Sequence, residues 1–510
     1  MYILAIDCGT QSLRGIVFDH QGTLLIKEKI SFSPYKVSQP GYAEQDSLVF
    51  YKAMCTAINR LNKNEPEVMK LVAGITVTTQ RDAVICVNEE GEPLRPAIIW
   101  ADQRRIDQPR PMSLLHTAIF RLVGMAMTAE NLSRNFKGHW IQDNEPEIWA
   151  KTYKYLQLSA YLNYKLTGLF KDGMASQIGH VPFSYKNFRL EHPRSLKHDI
   201  FHIDNSKFCE FVAAGDVLGH LTEGAALDTG LEAGLKVIAS GSDKGCETLG
   251  VGCMDNSTLS ISLGSQASIQ TTTKKYYETL ALIPPFQSVM PGYYNPEIQV
   301  YRGYWMISWF LKEFAQKEVV LSKELGVDPV SLLNAALDKV PVGSEGLFLQ
   351  PYWGAGVKKN EARGSIIGFN DAHTRIHIYR AIIEGIGFTL YEGMKQIERR
   401  SGCQIEKIMI SGGGSNSDAI CQITADIFNL PVYRVQTYET SALGASIAGY
   451  IGLGIHSTYQ EAVTAMVHPS RPFQPITAHH QTYHKMYKHI YKKIYKKLRP
   501  LYRKFKDLAL

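Results

Sequence analysis

What this sequence lacks narrows it first. Its eight cysteines (Cys8, Cys55, Cys86, Cys209, Cys246, Cys253, Cys403 and Cys421) are scattered, and none belongs to a C-x-x-C pair. That spacing suits neither a zinc site nor a disulfide framework, so mostly buried free thiols in a reducing cytoplasm are expected. No apolar stretch approaches the ~20 residues needed to span a bilayer. The opening "MYILAID" has no basic segment and meets an acid at Asp7, so a secretory signal is not expected. Evenly spread positive charge is missing too. The net charge of +7 arises from residues 481–510, where ten Lys or Arg face one acid, Asp507, and the remaining 480 residues carry a net −2. One terminal segment, not a charged cleft, makes the protein basic.

What is present is the material of a folded protein, 45% hydrophobic and 20% charged. A chain of 510 residues exceeds one hydrophobic core, so two or more domains are expected. Residues 2–7 and 14–19 read as short apolar strands, and "HQGT" turns into a third, "LLIKEKISF". "LVFYKAMCTAINRLNK" has helical periodicity, and "VAGITVTT" reads as a buried strand. Residues 145–240 look irregular and rich in Tyr, His and Gly. Near residue 236 the pattern restarts, and "TLSISLGSQASIQTT" echoes the first hairpin: apolar strand, small polar turn, apolar strand. "KIMISGGGSNSDAICQITADIFNLPV" then reads strand, glycine loop, helix. The class is α/β, with two related domains meeting near residue 243 and a nucleotide-sized cleft between them. The division is 1–243, 244–480, and a basic Tyr/Lys-rich helix over 481–510. In that helix Tyr483, Tyr487, Tyr491 and Tyr495 share one face, which is expected to dock on the body while the lysines stay solvated.

Several short stretches could carry chemistry. In "AIDCGTQSLRGIVFD", small residues let backbone approach an anion closely, and Gly9, Thr10, Gln11 and Ser12 could supply converging donors. Asp7, at a strand end, could hold Mg2+ directly or through water. Read alone, the same stretch is equally a hairpin turn whose Asp and Thr satisfy their own backbone. The loop "SGGGSNS" (residues 411–417) matches neither G-x-x-x-x-G-K-[ST] nor G-x-G-x-x-G, the P-loop and dinucleotide fingerprints. It could rest a nucleotide against exposed backbone and a helix N-terminus, or be a strand-to-helix turn with Asn416 or Ser417 as N-cap. "GSDKG" sets Asp243 just past a buried strand, as a carboxylate able to accept a hydroxyl proton or as a helix cap. Lys244 is either surface charge or a substrate or phosphate contact. "TTQRDA" and "IIWADQR" end two strands with Gln80, Arg81 and Asp82, and with Trp100, Asp102 and Arg104. They suit a polyhydroxylated ligand, or form Arg–Asp structural pairs.

In order along the chain, these stretches resemble one family, the FGGY carbohydrate kinases, sugar and polyol kinases of the actin–hexokinase superfamily. The resemblance rests on "AIDCGTQSLRGIVFD", "GITVTTQRDAV", "AIIWADQR", "KGHWIQDNEPE", "YLNYKLTG", "ASGSDKGCETLGVG", "SISLGSQASI", "AIIEGIGFTLYEGM", the glycine-loop unit and "ETSALGASIAGYIGLG", spanning nearly the whole chain. It implies two ribonuclease-H-like domains closing over MgATP and a small carbohydrate. By the same resemblance Asp7 attends the metal, and Gly9, Thr10 and Arg14, with Gln11 and Ser12, lie by the phosphates. Gly264 and Ser265 form a second phosphate turn, and Gly412, Gly413, Gly414, Ser415 and Ser417 border the adenosine. Asp243 matches the catalytic aspartate, and Gln80, Arg81, Asp82 and Trp100 fall in the sugar pocket with it. Arg81-Asp82 is closer to the Arg-acid pair of glycerol kinases than to the Met-His pair of xylulose kinases. Lys244, however, stands where glycerol kinases carry glutamine, and Met306 where family members often carry a lysine. The expected activity is transfer of the ATP γ-phosphate to a hydroxyl of a small sugar or polyol, in the cytoplasm. Neither a nucleic-acid nor a membrane partner is expected, and pairing into a homodimer is left open. The alternative is a non-catalytic nucleotide-binding regulatory protein on the same fold.

Overall fold

The computed structural model describes residues 1–280, 283–353, 359 and 361–508. It divides into two compact units. The first comprises Met1–Gly250, Leu280–Tyr294 and Glu439–Val467, and the second Val251–Thr279, Asn295–Tyr438 and His468–Leu510. This differs from a single boundary near residue 243, because residues 439–467 return to the first unit. The reason is packing: the helix Thr440–Gly452 is buried along almost its whole length against that unit's sheet.

The first unit is built on a six-stranded sheet in the order Val217–His220, Lys236–Ile238, Val72–Thr79, Tyr2–Cys8, Ser12–Phe18, Leu24–Ser31. Tyr2–Cys8 runs parallel to Val72–Thr79 and antiparallel to Ser12–Phe18. Its side chains alternate between faces. Leu4, Ile6 and Cys8 join a cluster with Phe50, Met54 and Ile58 of the helix Ser47–Asn64, which Asp46 caps by accepting from the Leu48 amide. Ile3 meets Gly449 of the helix Thr440–Gly452 on the other side. That helix also touches the short helix Asp243–Gly250 backbone to backbone. A Cβ on Gly444 would fall 1.8 Å from the Cys246 carbonyl oxygen, and one on Gly250 2.0 Å from that of Thr440.

The second unit repeats this plan in a five-stranded sheet ordered Glu297–Val300, Ala267–Gln270, Thr258–Leu263, Lys407–Ser411, Val432–Tyr433. Thr258–Leu263 runs antiparallel to the strand after it and parallel to Lys407–Ser411. Its core is covered by the 27-residue helix Arg375–Ser401, ended by Gly402 at φ +74°. The tyrosine face of the C-terminal helix docks here as its spacing predicts. Tyr483 and Tyr491 are buried, and the Tyr483 hydroxyl donates to Glu384 Oε1 at 2.7 Å. Lys488, Lys492, Lys493, Lys496 and Lys497 are exposed. The eight cysteines are free thiols, six of them buried. Among the described residues no helix is long and apolar enough to cross a membrane.

Candidate functional site

The charged candidates all belong to the first unit. The Gly9 amide closes the first turn by donating to the Ser12 carbonyl (3.0 Å), so this amide is not available to an anion. Gln11 is tied back through its carbonyl, which accepts from the Phe32 amide (3.0 Å). Ser12 is buried at the head of the returning strand. The Thr10 hydroxyl turns sideways, accepting from Trp100 Nε1 and donating to Gln80 Oε1, each at 2.9 Å. Asp7 and Arg14 face each other in the hairpin register, 3.4 Å apart, and Arg14 Nε also reaches Glu439 Oε2 at 3.6 Å.

Asp7 is 9% exposed. Burial, more than any other influence, lifts its carboxyl to about 7; Arg14 opposes the rise, while Asp243, Glu439 and Glu247 add to it. A carboxyl in that condition gains from a cation beside it. No set of three or more His, Cys, Asp and Glu able to hold a metal occurs among the described residues. Asp7 offers a single carboxylate to such a cation.

Gln80, Arg81 and Asp82 follow directly on the strand Val72–Thr79. The Gln80 amide extends the parallel ladder by donating to the Cys8 carbonyl at 2.9 Å. Arg81 Nε donates to Ser242 Oγ at 3.3 Å and lies 3.7 Å from Asp243 Oδ1, its guanidinium over the Phe286 ring. Asp82 takes a left-handed backbone, φ +52°. Lys137 Nζ donates to its carbonyl oxygen and, at 2.8 Å, to its Oδ2, while His180 Nδ1 lies 3.3 Å from Oδ2. Burial would raise the Asp82 carboxyl, but Lys137 and His180 outweigh it and hold it well below the usual carboxylate range. Its oxygens are thus engaged by the Lys137 ammonium and the His180 ring.

Asp243 opens the helix Asp243–Gly250, and its Oδ1 accepts from the Lys244 amide at 2.7 Å. Desolvation raises its carboxyl above the ordinary range, with Arg81 and Lys244 pulling the other way, although 29% of the side chain remains open. Lys244 Nζ reaches Glu247 Oε2 at 2.8 Å. It is therefore a paired cation rather than loose surface charge.

The second unit offers backbone rather than charge. The carbonyls of Gly264 and Ser265 accept from the amides of Tyr304 and Trp305 at 3.1 and 3.3 Å, fixing the turn. Gly412, at φ +81°, passes so close to this turn that a Cβ would fall 2.8 Å from the Leu263 carbonyl carbon and 3.0 Å from the Gly264 nitrogen. Gly414 fits against the Tyr304 ring in the same way, while Gly413 faces open space. Ser415 turns its hydroxyl inward to the Gly412 carbonyl at 2.7 Å, and Ser417 caps the helix Asp418–Phe428. Met306 is buried in the core.

Residues with no role in the sequence reading are Lys137, His180, Ser242, Phe286, Glu247 and Glu439. Lys137, Ser242, Glu247 and Glu439 lie inside the quoted stretches. His180 comes from an irregular segment and Phe286 from the two-residue strand Phe286–Gln287, where no periodicity marks them.

Two family models match in chain order. The N-terminal domain of the FGGY family of carbohydrate kinases covers residues 2–250, and its C-terminal domain residues 259–453. The chain is similar to the uncharacterized sugar kinase YgcE of Escherichia coli K12, 29% identical over 488 residues, 94% of this chain and 91% of the relative. It is equally similar to a xylulose kinase of Staphylococcus epidermidis, 29% identical over 491 residues and 94% of each chain. Its fold is that of the ligand-bound xylulose kinase of Lactobacillus acidophilus, with a TM-score of 0.82, 21% identity and 99% of each chain covered. Matched by both halves of that family on the fold just described, the chain belongs to the FGGY family of carbohydrate kinases, phosphotransferases that act on an alcohol group.

Proposed function

We propose that this kinase transfers the γ-phosphate of ATP to a hydroxyl of a small sugar or polyol, with Asp243 as the base that receives the hydroxyl proton. One observation carries the assignment. Asp243 is a partly open carboxylate whose proton affinity is raised by burial, while Arg81, 3.7 Å away, holds it in place at a helix start. A raised carboxylate is a stronger base, and it is needed only as the attacking oxygen sheds its proton. Gln80, Arg81 and Trp100 line the acceptor's side. Asp82 supports them through Lys137 and His180. Gly264, Ser265 and Gly412–Gly414 offer backbone to the nucleotide, and Arg14 serves the phosphates. Asp7 attends the divalent ion that accompanies ATP, which supplies charge neutralisation on the phosphate oxygens when bound. The reaction belongs in the cytoplasm, where ATP and reduced thiols coexist.

The test is coupled-assay turnover against glycerol, xylulose, ribulose, ribitol and erythritol, with Asp243→Ala beside the native protein. The expected result is turnover of at least one acceptor and a loss of about 10²–10⁴-fold in kcat in the variant, with ATP affinity within about 3-fold. Normal turnover by Asp243→Ala sinks the assignment of the base. Tight ATP binding without turnover of any acceptor would fit a non-catalytic nucleotide-binding protein instead.

A further inference from the structure

The first turn holds a hydrogen-bonded chain that runs from Trp100 through Thr10 to Gln80. The Trp100 indole N–H can only donate, and it donates to Thr10 Oγ1 at 2.9 Å. The Thr10 oxygen is thereby an acceptor on that side, and its own proton goes on to Gln80 Oε1, also at 2.9 Å. This orients the Gln80 amide, with Oε1 toward Thr10 and Nε2 away from it. Gln80 is 5% exposed, and its Nε2 is buried with no hydrogen-bond partner. The residue has little freedom to turn elsewhere. Its backbone amide is bonded to the Cys8 carbonyl at 2.9 Å, and two residues on Asp82 is clamped by Lys137 and His180. A buried amide with two unused donors is a costly arrangement unless an acceptor comes to it.

We propose that Thr10 is a positioning residue for the acceptor substrate, acting through Gln80. Its hydroxyl passes the polarity of the indole to the amide, so that Gln80 Nε2 presents donors to an oxygen of the sugar or polyol. The inference rests on the kinase reading above and sharpens it. Thr10 lies in a turn that the family resemblance gives to the phosphates, yet its side chain serves the sugar. The substrate must carry a hydroxyl or carbonyl oxygen at the point facing Nε2. An ammonium group there, as on an amino sugar, would set donor against donor and be refused.

The test compares Thr10→Val, which removes the hydroxyl and keeps the shape, with Thr10→Ser, which keeps the hydroxyl. The probe is whichever of glycerol, xylulose, ribulose, ribitol and erythritol the native enzyme turns over with the highest kcat/KM. Thr10→Val is expected to raise the KM for that acceptor about 10-fold or more, leaving the KM for ATP within about 2-fold, and Thr10→Ser to restore it to within about 3-fold. Adding Thr10→Val to Gln80→Leu is expected to cost nothing further, because the hydroxyl works through the amide. A raised KM for ATP with an unchanged acceptor KM, or failure of Thr10→Ser to restore, overturns the proposal. If Thr10→Val does not fold, Thr10→Ala carries the same comparison. A second readout needs no turnover. The Trp100 indole N–H resonance, assigned by its loss in Trp100→Phe, should move upfield in Thr10→Val and stay in place in Thr10→Ser. If the native enzyme phosphorylates none of the five acceptors, the kinase reading fails, and this resonance still decides the relay: no shift in Thr10→Val overturns it.

Discussion

The two hairpins at the heart of the two units share a topology and divide the chemistry. Each leads with a strand, Tyr2–Cys8 or Thr258–Leu263, that pairs antiparallel with the next strand and parallel with a later one. The first carries Asp7 one residue before its end, pairs it with Arg14 and bends Thr10 toward Trp100 and Gln80. The second has no ionisable side chain in its turn, where Gly264 and Ser265 are held through backbone by Tyr304 and Trp305 and the Gly412 loop passes close by. A repeated fold need not repeat its function. One hairpin is an electrostatic device set among buried acids, and the other is a backbone frame.

Breaking the charged side should have the largest effect. Lys137→Met leaves the Asp82 carboxylate buried and short of its principal cation, and should cost about 3–5 kcal/mol in urea unfolding, most of it recovered in the Lys137→Met/Asp82→Asn double variant. A loss below about 1 kcal/mol would show that the clamp is not what holds this site.

Gly412→Ala attacks the frame. A side chain at φ +81° that also strikes the Gly264 turn should cost about 2–4 kcal/mol and raise the KM for ATP about 10-fold. An unchanged KM would separate the loop from nucleotide binding.

The third prediction concerns pH. The Asp7 carboxyl sits at about 7 when folded against an ordinary 3.8, so the folded state keeps its proton longer than the unfolded one. Stability therefore falls as pH rises from about 4 through 7 and stays lower above that. Asp7→Asn escapes this loss. At pH 8 without nucleotide it should be more stable than the native protein by about 2–3 kcal/mol, and the gap should close toward pH 4. A gap independent of pH would contradict the buried charge. The smallest effect is Ser265→Ala. Its exposed hydroxyl adds nothing to a turn that works through backbone, so stability should stay within about 0.5 kcal/mol and the KM for ATP within about 2-fold. A large rise in that KM would make the second hairpin chemically active as well.

Much of this was legible in the residues. The strands Tyr2–Cys8, Ser12–Phe18 and Val72–Thr79, the helix over 47–64, the second hairpin and the tyrosine face of the last helix all follow from local periodicity and turn chemistry, which act over a few residues. What stayed hidden was set by partners distant in sequence. Asp82 carries no sign that Lys137 and His180 will close on it. Ser417 is the helix cap its stretch offered, and the Ser415 hydroxyl, which no local pattern marked, braces the loop through the Gly412 carbonyl. Residues 439–467 read as part of the second domain, while in the structure they pack with the first unit, the helix Thr440–Gly452 meeting the helix Asp243–Gly250 backbone to backbone at Gly444 and Gly250.

By itself, then, the sequence determined the α/β class, the two matched hairpins and the family, because strand alternation, turn residues and glycine placement are local properties written along the chain. Only the tertiary structure decided which way the Thr10 hydroxyl points, which acids are raised and which lowered, and which unit owns the helix Thr440–Gly452. Those outcomes depend on desolvation and on an acceptor and a donor brought from 70 and 90 residues away, and neither exists until the chain has folded.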